Sequence, residues 1–174
     1  MINKRVDSMA QAIQGIKDGD VLLIGGFGTS GRPAELLAGV FDLGVKDLTL
    51  VANNATTGTD VMADLMRANR VKKMVCSFPR ALVGKTIFDE LYSTGKIELE
   101  LVPQGTLAER IRAGAAGIGG FFTRTAASTE LARGKETRLI DGQEYVFEKP
   151  LVGDVALIQA KKGDRWGNLV YHRG

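Results

Sequence analysis

The run Asp18-Gly19-Asp20-Val21-Leu22-Leu23-Ile24-Gly25-Gly26-Phe27-Gly28-Thr29-Ser30-Gly31-Arg32-Pro33 constrains the fold more than any other stretch of the chain. Val21–Ile24 is apolar at every position, so a strand made of it needs cover on both faces. That is the pattern of a parallel strand between layers of helices, not of a half-solvated hairpin. Four glycines in seven residues follow, and Pro33 then suits the first turn of a helix. Such a loop exposes backbone N–H groups and lets a ligand approach the main chain closely. Read from the residues alone, Gly25–Gly31 is equally well a cradle for an anion or acyl oxygen and a tight turn that merely needs glycine. Gly26, Gly28 and Gly31 have dinucleotide-loop spacing, but Phe27 and Pro33 are foreign to that loop. Asn53-Asn54 stand where its acidic residue should end the next strand.

The rest of the chain alternates in the same way. Ser8 to Lys17 predicts a helix with Met9, Ile13 and Ile16 on one face, capped by Ser8 and ended by Gly19. Pro33 opens a second helix with Leu36, Leu37, Val40 and Phe41 facing inward and Gly44 closing it. Leu48–Ala52 predicts a strand ending at Asn53-Asn54, Asp60–Asn69 a helix, Val71–Val75 a strand, and Thr86–Ser93 a helix ending at Gly95. Lys96–Val102 alternates as a strand and leads to Pro103-Gln104-Gly105. Thr106–Ala113 predicts a helix with Thr106 and Glu109 spaced as a capping box. This order calls for a mostly parallel sheet with helices on both faces. From Gly114 the character changes. Gly114–Gly120 is too rich in Gly and Ala for a strand, and Thr137–Phe147 predicts a hairpin turning at Asp141-Gly142. Val155–Ala160 and Asn168–Tyr171 predict another pair around Gly163–Gly167. The whole reads as one α/β domain, residues 1–174, with a β-rich C-terminal layer.

Composition removes several classes of function. Of 174 residues, 44% are hydrophobic and 25% charged, enough for a buried core and unlike a disordered chain. The net charge of +3 is spread among acids and lacks the concentrated basic run usual in nucleic-acid binders, and a small anionic ligand accounts for the mild excess as well as a polynucleotide would. No apolar run is long enough to span a membrane, and Met1-Ile2-Asn3-Lys4-Arg5 does not start a secretory signal. One cysteine, Cys76, allows no internal disulfide and reads as a buried core thiol, consistent with the cytoplasm. One histidine, His172, leaves too few ligands for a zinc site and argues against histidine-based catalysis. Arg80 follows a strand and a proline. A guanidinium there could bind a distal carboxylate bidentately, although a solvated loop arginine is the favoured reading.

Asp18–Pro33 resembles, position by position, the first signature of the family I CoA-transferases: an Asp-Gly pair, a short apolar strand, Gly-Gly-Phe, three residues, then Gly-x-Pro. Val45–Asn54, Ile97–Ala115 and Gly163–Leu169 also resemble the A subunits of that family. Cys76–Arg80 and Phe88–Tyr92 look most like the 3-oxoadipate branch. The resemblance covers nearly the whole chain. It implies a CoA-transferase fold shared with NagB-like proteins, and ping-pong transfer of CoA from succinyl-CoA to a 3-oxo acid, 3-oxoadipate or acetoacetate. It implies no resident cofactor, coenzyme A thioester being a substrate. The family's nucleophile is a glutamate in a Ser-Glu-Asn-Gly motif of the B subunit. That motif is absent here, so the expected partner is a B subunit, in a heterodimer or a heterotetramer of two A and two B chains, and no catalytic nucleophile is expected in this chain.

By the same resemblance Asn53 and Gln104, with Gly105 beside it, line the carboxylic-acid site. Amide side chains can hydrogen-bond an acid without a fixed charge. Gly25, Gly26, Phe27 and Gly28 approach the acyl group, and their N–H groups are candidates to hold a developing oxyanion. Without the resemblance, Asn53-Asn54 would read as a turn and Gln104 as a surface residue. Two departures from the family stand out. Its A subunits continue for a further strand–helix unit beyond the position of Tyr171, whereas this sequence ends at His172-Arg173-Gly174. Thr123-Arg124-Thr125-Ala126-Ala127-Ser128-Thr129 replaces a loop that commonly reads Thr-Pro-Thr-Gly-x-Gly-Thr, which changes the turns available. The rival readings are a sugar-phosphate isomerase using Gly25–Gly31 as a phosphate cradle, and an inactive acyl-CoA-binding subunit.

Overall fold

A computed structural model describes residues 1–80 and 84–172, so Arg173 and Gly174 lie outside the described residues. The chain divides into two compact units, residues 1–99 with 153–174 and residues 100–152.

The first unit opens with α1 (Met9–Ile13), β1 (Val21–Ile24), α2 (Ala34–Leu43), β2 (Leu48–Asn54), α3 (Val61–Arg67), β3 (Val71–Phe78) and α4 (Ile87–Ser93). Then comes β4 (Glu98–Leu101), inside which the division between the units falls. Helix starts follow local chemistry. Ser8 and Asp60 accept backbone N–H groups of α1 and α3. Thr86 and Asp89 form a reciprocal capping box on α4, satisfying donors that a helix start leaves open. Gly44, at φ 82°, ends α2 in the left-handed conformation.

β1 pairs in parallel with β2, β2 with β3, and β1 on its other side with β8 (Val155–Leu157). The sheet order is β4-β3-β2-β1-β8. Strands 1 to 4 step in one direction, and right-handed crossovers then lay successive helices side by side on one face. Consecutive helices from α1 to α4 pack together accordingly. Their cover buries Leu22, Leu48, Leu50 and Met74 against Leu37, Val40, Met62, Leu65 and Phe88. Val51 and Val75, pointing the opposite way, are 1% and 3% exposed, so strands of this sheet are buried on both faces as their apolar runs require.

The second unit contains α5 (Gln104–Ala115), β5 (Phe121–Thr123), a 3₁₀ turn at Glu130–Ala132, β6 (Thr137–Ile140) and β7 (Gln143–Glu148). Its antiparallel sheet has the order β5-β7-β6. The β6–β7 hairpin turns at Asp141 and Gly142 with φ 50° and 74°, the two positive values a two-residue primed turn demands. Buried Glu148, 2% exposed, is held by the Lys135 ammonium at 2.6 Å.

Three expectations need correction. Val155–Leu157 is not a hairpin strand; it joins the parallel sheet beside β1, and the partner of β10 (Leu169–Val170) is the two-residue β9, Lys162–Gly163. A run of three apolar residues carries no signal for its partner, and β1 offered an open edge. The Thr106–Glu109 capping box does not form. Pro103 sets the helix start three residues earlier, Thr106 is buried with its hydroxyl unpartnered, and Glu109 pairs with Arg112 at 2.7 Å. The helix predicted over Ser8 to Lys17 is only five residues long.

Candidate functional site

Parallel strands end at one edge, and the loops there are the usual ligand-binding positions of α/β sheets. At that edge the first unit assembles Gly25–Gly28 after β1, Asn53 and Asn54 at the end of β2, and Phe78 to Arg80 at and beyond the end of β3. Asn54 lies opposite Phe78 in the ladder, and the Ala55 N–H donates to the Phe78 carbonyl at 3.0 Å. β3 thus runs three residues past Val75, where its apolar run stops. The Asp18–Asp20 half of the signature sits at the other end of β1. There Asp18 and Asp20 accept the N–H groups of Lys46 and Lys17 at 2.9 and 3.0 Å and shape turns.

The glycine loop is tightly internally bonded. Gly25 donates to the Leu157 carbonyl at 3.0 Å; Phe27 and Ser30 exchange both backbone bonds at 2.9 and 3.0 Å. Gly26 has φ 109°, and a Cβ there would lie 2.9 Å from both the Ser30 oxygen and the Arg32 nitrogen, so glycine is required by conformation and by space. The Gly28 N–H donates to the Asn54 side-chain oxygen at 3.0 Å. Three of the four N–H groups nominated from sequence therefore already have partners, and the Gly26 N–H remains as the loop's candidate donor for an oxyanion. Phe27 is 62% exposed and Phe78 51%, large apolar surfaces flanking the asparagine pair.

Two features here were not foreseen. Asn54, read as part of a turn, accepts both Gly28 N–H and, at 2.8 Å, the Asn53 side-chain amide. Arg32, at the exit of the glycine loop, is 9% exposed and pairs with Asp60, the cap of α3. Asp60 also accepts from the Thr56 hydroxyl (2.8 Å), the Thr57 N–H (2.7 Å) and hydroxyl (2.8 Å), and the Ala63 N–H (3.0 Å). Burial raises its pKa, but these hydrogen bonds outweigh it and hold the carboxyl below its ordinary value. The spacing Thr56-Thr57-x-x-Asp60 was the only sequence signal for the cluster; nothing in a sequence marks Arg32 as buried.

Arg80 is exposed. Its charge, together with that of Lys85, reaches Asp89, whose carboxyl is held below its usual range first by the Thr86 N–H. Cys76 is fully buried, and burial pushes its thiol up to about 12. Beyond Gly31 a cavity of about 350 Å³ is lined by Gly31, Gln159, Ala160, Lys161 and His172. In the second unit, Gln104 and Gly105 are the first two residues of α5, and both are exposed. Among the described residues no three His, Cys, Asp or Glu side chains converge as a metal site, and no helix is long and apolar enough to cross a membrane.

The family pattern described as Coenzyme A transferase matches residues 6–174. The A subunit of the 3-oxoadipate CoA-transferase of Pseudomonas putida is 56% identical over 173 residues, 99% of this chain and 74% of that protein. The A subunit of a probable succinyl-CoA:3-ketoacid coenzyme A transferase of Bacillus subtilis is 44% identical over 99% of this chain and 71% of its own length. Among solved structures, the glutaconate coenzyme A-transferase of Acidaminococcus fermentans superposes with a TM-score of 0.82 at 19% identity, over 98% of this chain and 61% of that one, a likeness of fold. The pattern and these relatives each extend over nearly the whole chain: the chain belongs to the coenzyme A transferase family.

Proposed function

We propose that this chain is the A subunit of a two-subunit enzyme that moves CoA from succinyl-CoA to a 3-oxo acid, 3-oxoadipate first and acetoacetate second. One observation carries the reading: the 56% identity to the A subunit of a 3-oxoadipate CoA-transferase extends over 99% of the chain. The nucleophile is a glutamate of the B subunit. Its carboxylate attacks the thioester carbonyl, releasing CoA thiolate and forming a mixed anhydride. The thiolate attacks the glutamyl carbonyl, giving a glutamyl-CoA thioester and freeing succinate. The acceptor carboxylate then reverses both steps and leaves as the new acyl-CoA.

This chain's part is to hold the acyl group and the acid. Asn53, Gln104 and Gly105 bind the carboxyl group; Gly25, Gly26, Phe27 and Gly28 wall the acyl carbonyl. The Gly26 N–H is the loop donor that supports the developing oxyanion. Arg80, exposed past the end of β3, pairs with the distal carboxylate of a dicarboxylic acid. Residues 1–174 act as one A-subunit domain, in a cytoplasmic heterodimer or heterotetramer with B chains.

The test is thioester exchange with and without a candidate B subunit. Exchange of labelled succinate into succinyl-CoA should need both chains and no acceptor acid, as a ping-pong route requires. Exchange by this chain alone would overturn the division of labour. Binding without turnover would favour an inactive acyl-CoA-binding subunit, and isomerisation of a sugar phosphate would favour that rival. Arg80→Ala should reduce the preference for dicarboxylic over monocarboxylic acids; an unchanged preference would remove Arg80 from the site.

A further inference from the structure

Two segments far apart in sequence meet on one atom. The Asn54 side-chain oxygen accepts the backbone N–H of Gly28 at 3.0 Å and the side-chain amide of Asn53 at 2.8 Å. A carboxamide oxygen has two lone pairs, so these two donors use its capacity. One bond anchors the glycine loop after β1 to the end of β2. The other sets which way the Asn53 amide faces, because a primary amide rotated by half a turn would present oxygen to oxygen. The anchoring point is itself rigid: Asn54 is held in the ladder opposite Phe78, and the next residue, Ala55, is bonded to the Phe78 carbonyl.

We infer that Asn54 is a positioning residue that couples the glycine loop to Asn53, so that the acyl wall and the acid-binding amide are set together. The inference rests on the functional reading above for the roles of Asn53 and the loop. Asn54 acts through its neighbours and need not touch substrate. What the coupling requires of residue 54 is an acceptor of side-chain length. Asn54→Asp supplies one, yet places a negative charge beside a site for carboxylates. Asn54→Ala supplies none. The two substitutions therefore separate tethering from charge.

The experiment uses the chain assembled with its B subunit. Hydrogen exchange over residues 25–31 should rise roughly five- to tenfold at Gly28 in Asn54→Ala, the worth of one hydrogen bond, and stay near wild type in Asn54→Asp. In the exchange assay Asn54→Ala should lower kcat and raise the KM of the acid acceptor, with the KM of succinyl-CoA moving less. Asn54→Asp should raise the acid KM alone. In an Asn53→Ala background, Asn54→Ala should cost clearly less than in wild type, because part of its effect passes through Asn53. Unchanged Gly28 exchange in Asn54→Ala, or effects that simply multiply with Asn53→Ala, would overturn the inference. A uniform loss of active enzyme that follows a lowered Tm, with both KM values constant, would also overturn it. A wild-type pair that moves no CoA would instead refute the functional reading, and the Gly28 exchange result would still decide the tether.

Discussion

Replacing Asp60 by Ala should be far more damaging than replacing its partner Arg32 by Met. The Arg32 and Asp60 side chains are 8% and 14% exposed, so solvent does little to screen either charge. Removing Asp60 deletes the cap of α3, about 0.5–2 kcal/mol. It also strands a buried guanidinium whose Nε already lacks a partner, and an uncompensated buried charge costs about 3–5 kcal/mol. The terms overlap, because Arg32 can shift toward water, so about 4 kcal/mol is expected. Arg32→Met leaves the carboxylate with its four donors from Thr56, Thr57 and Ala63 and should cost about 1 kcal/mol. In the double variant only the cap is lost, about 1–2 kcal/mol, giving a coupling of about 3–4 kcal/mol in the double-mutant cycle. Urea unfolding followed by far-UV circular dichroism measures all four proteins. The Asp60 carboxyl titrates below its ordinary value in the folded chain, so the unfolded state binds its proton first as pH falls. Its contribution is therefore complete at neutral pH and is lost progressively below about pH 4; Asp60→Asn should flatten that part of the stability–pH curve. If Asp60→Ala proves no costlier than Arg32→Met, the charge is not buried in the way these burial figures require.

Gly26→Ala puts a methyl group 2.9 Å from two backbone atoms at φ 109°. It should cost about 3 kcal/mol or more in a melt and abolish exchange activity; a functional, stable variant would show that the loop has slack. Ala126 and Ser128 hold left-handed φ values of 67° and 59°, where a side chain costs about 1–2 kcal/mol. Ala126→Gly should therefore raise stability by about 0.5–1 kcal/mol after the added freedom of the unfolded glycine is subtracted, and a lowered Tm would refute the strain. Ser128→Gly should gain less, since it gives up a hydrogen bond to Glu144. Cys76, with its thiol pushed up to about 12 by burial, should resist alkylation at pH 8 until the chain unfolds; labelling of the native protein within seconds would contradict its placement.

Legibility in the sequence followed the range of the forces involved. Val21–Ile24 and the Asp141-Gly142 hairpin were readable because a continuous apolar run and two consecutive residues tolerant of positive φ each act within a few residues. The start of the helix after Pro103 is ambiguous in sequence because two local signals compete there, and the proline at the boundary outweighs the Thr106–Glu109 spacing. Val155–Leu157 is recognisable as a strand but not by its neighbour, since the choice of β1 as partner belongs to the completed sheet. The 123–129 loop shows the same limit from another side. A resemblance exposes the missing glycines, but only the backbone shows that Ala126 and Ser128 keep the glycine-like turns and bear the strain.

The candidate site divides along the same line. The glycine loop and Asn53 stand out through composition and strand position. Asn54 does not, because its significance lies in a single acceptor atom shared by Gly28 and Asn53, and adjacency along the chain makes the pair look like one turn. Arg32 does not either, for an arginine declares its burial only through the partner it finds in Asp60. Both hidden residues tie the glycine loop to the stretch from the last residue of β2 to the cap of α3: Asn54 holds Gly28 within the loop, and Arg32, just past Gly31, holds Asp60. A loop of four glycines has high conformational entropy when free. Holding it still therefore falls to side chains outside it, so in this fold the residues that order the acyl wall are expected in the β2–α3 segment and not among the glycines that form it.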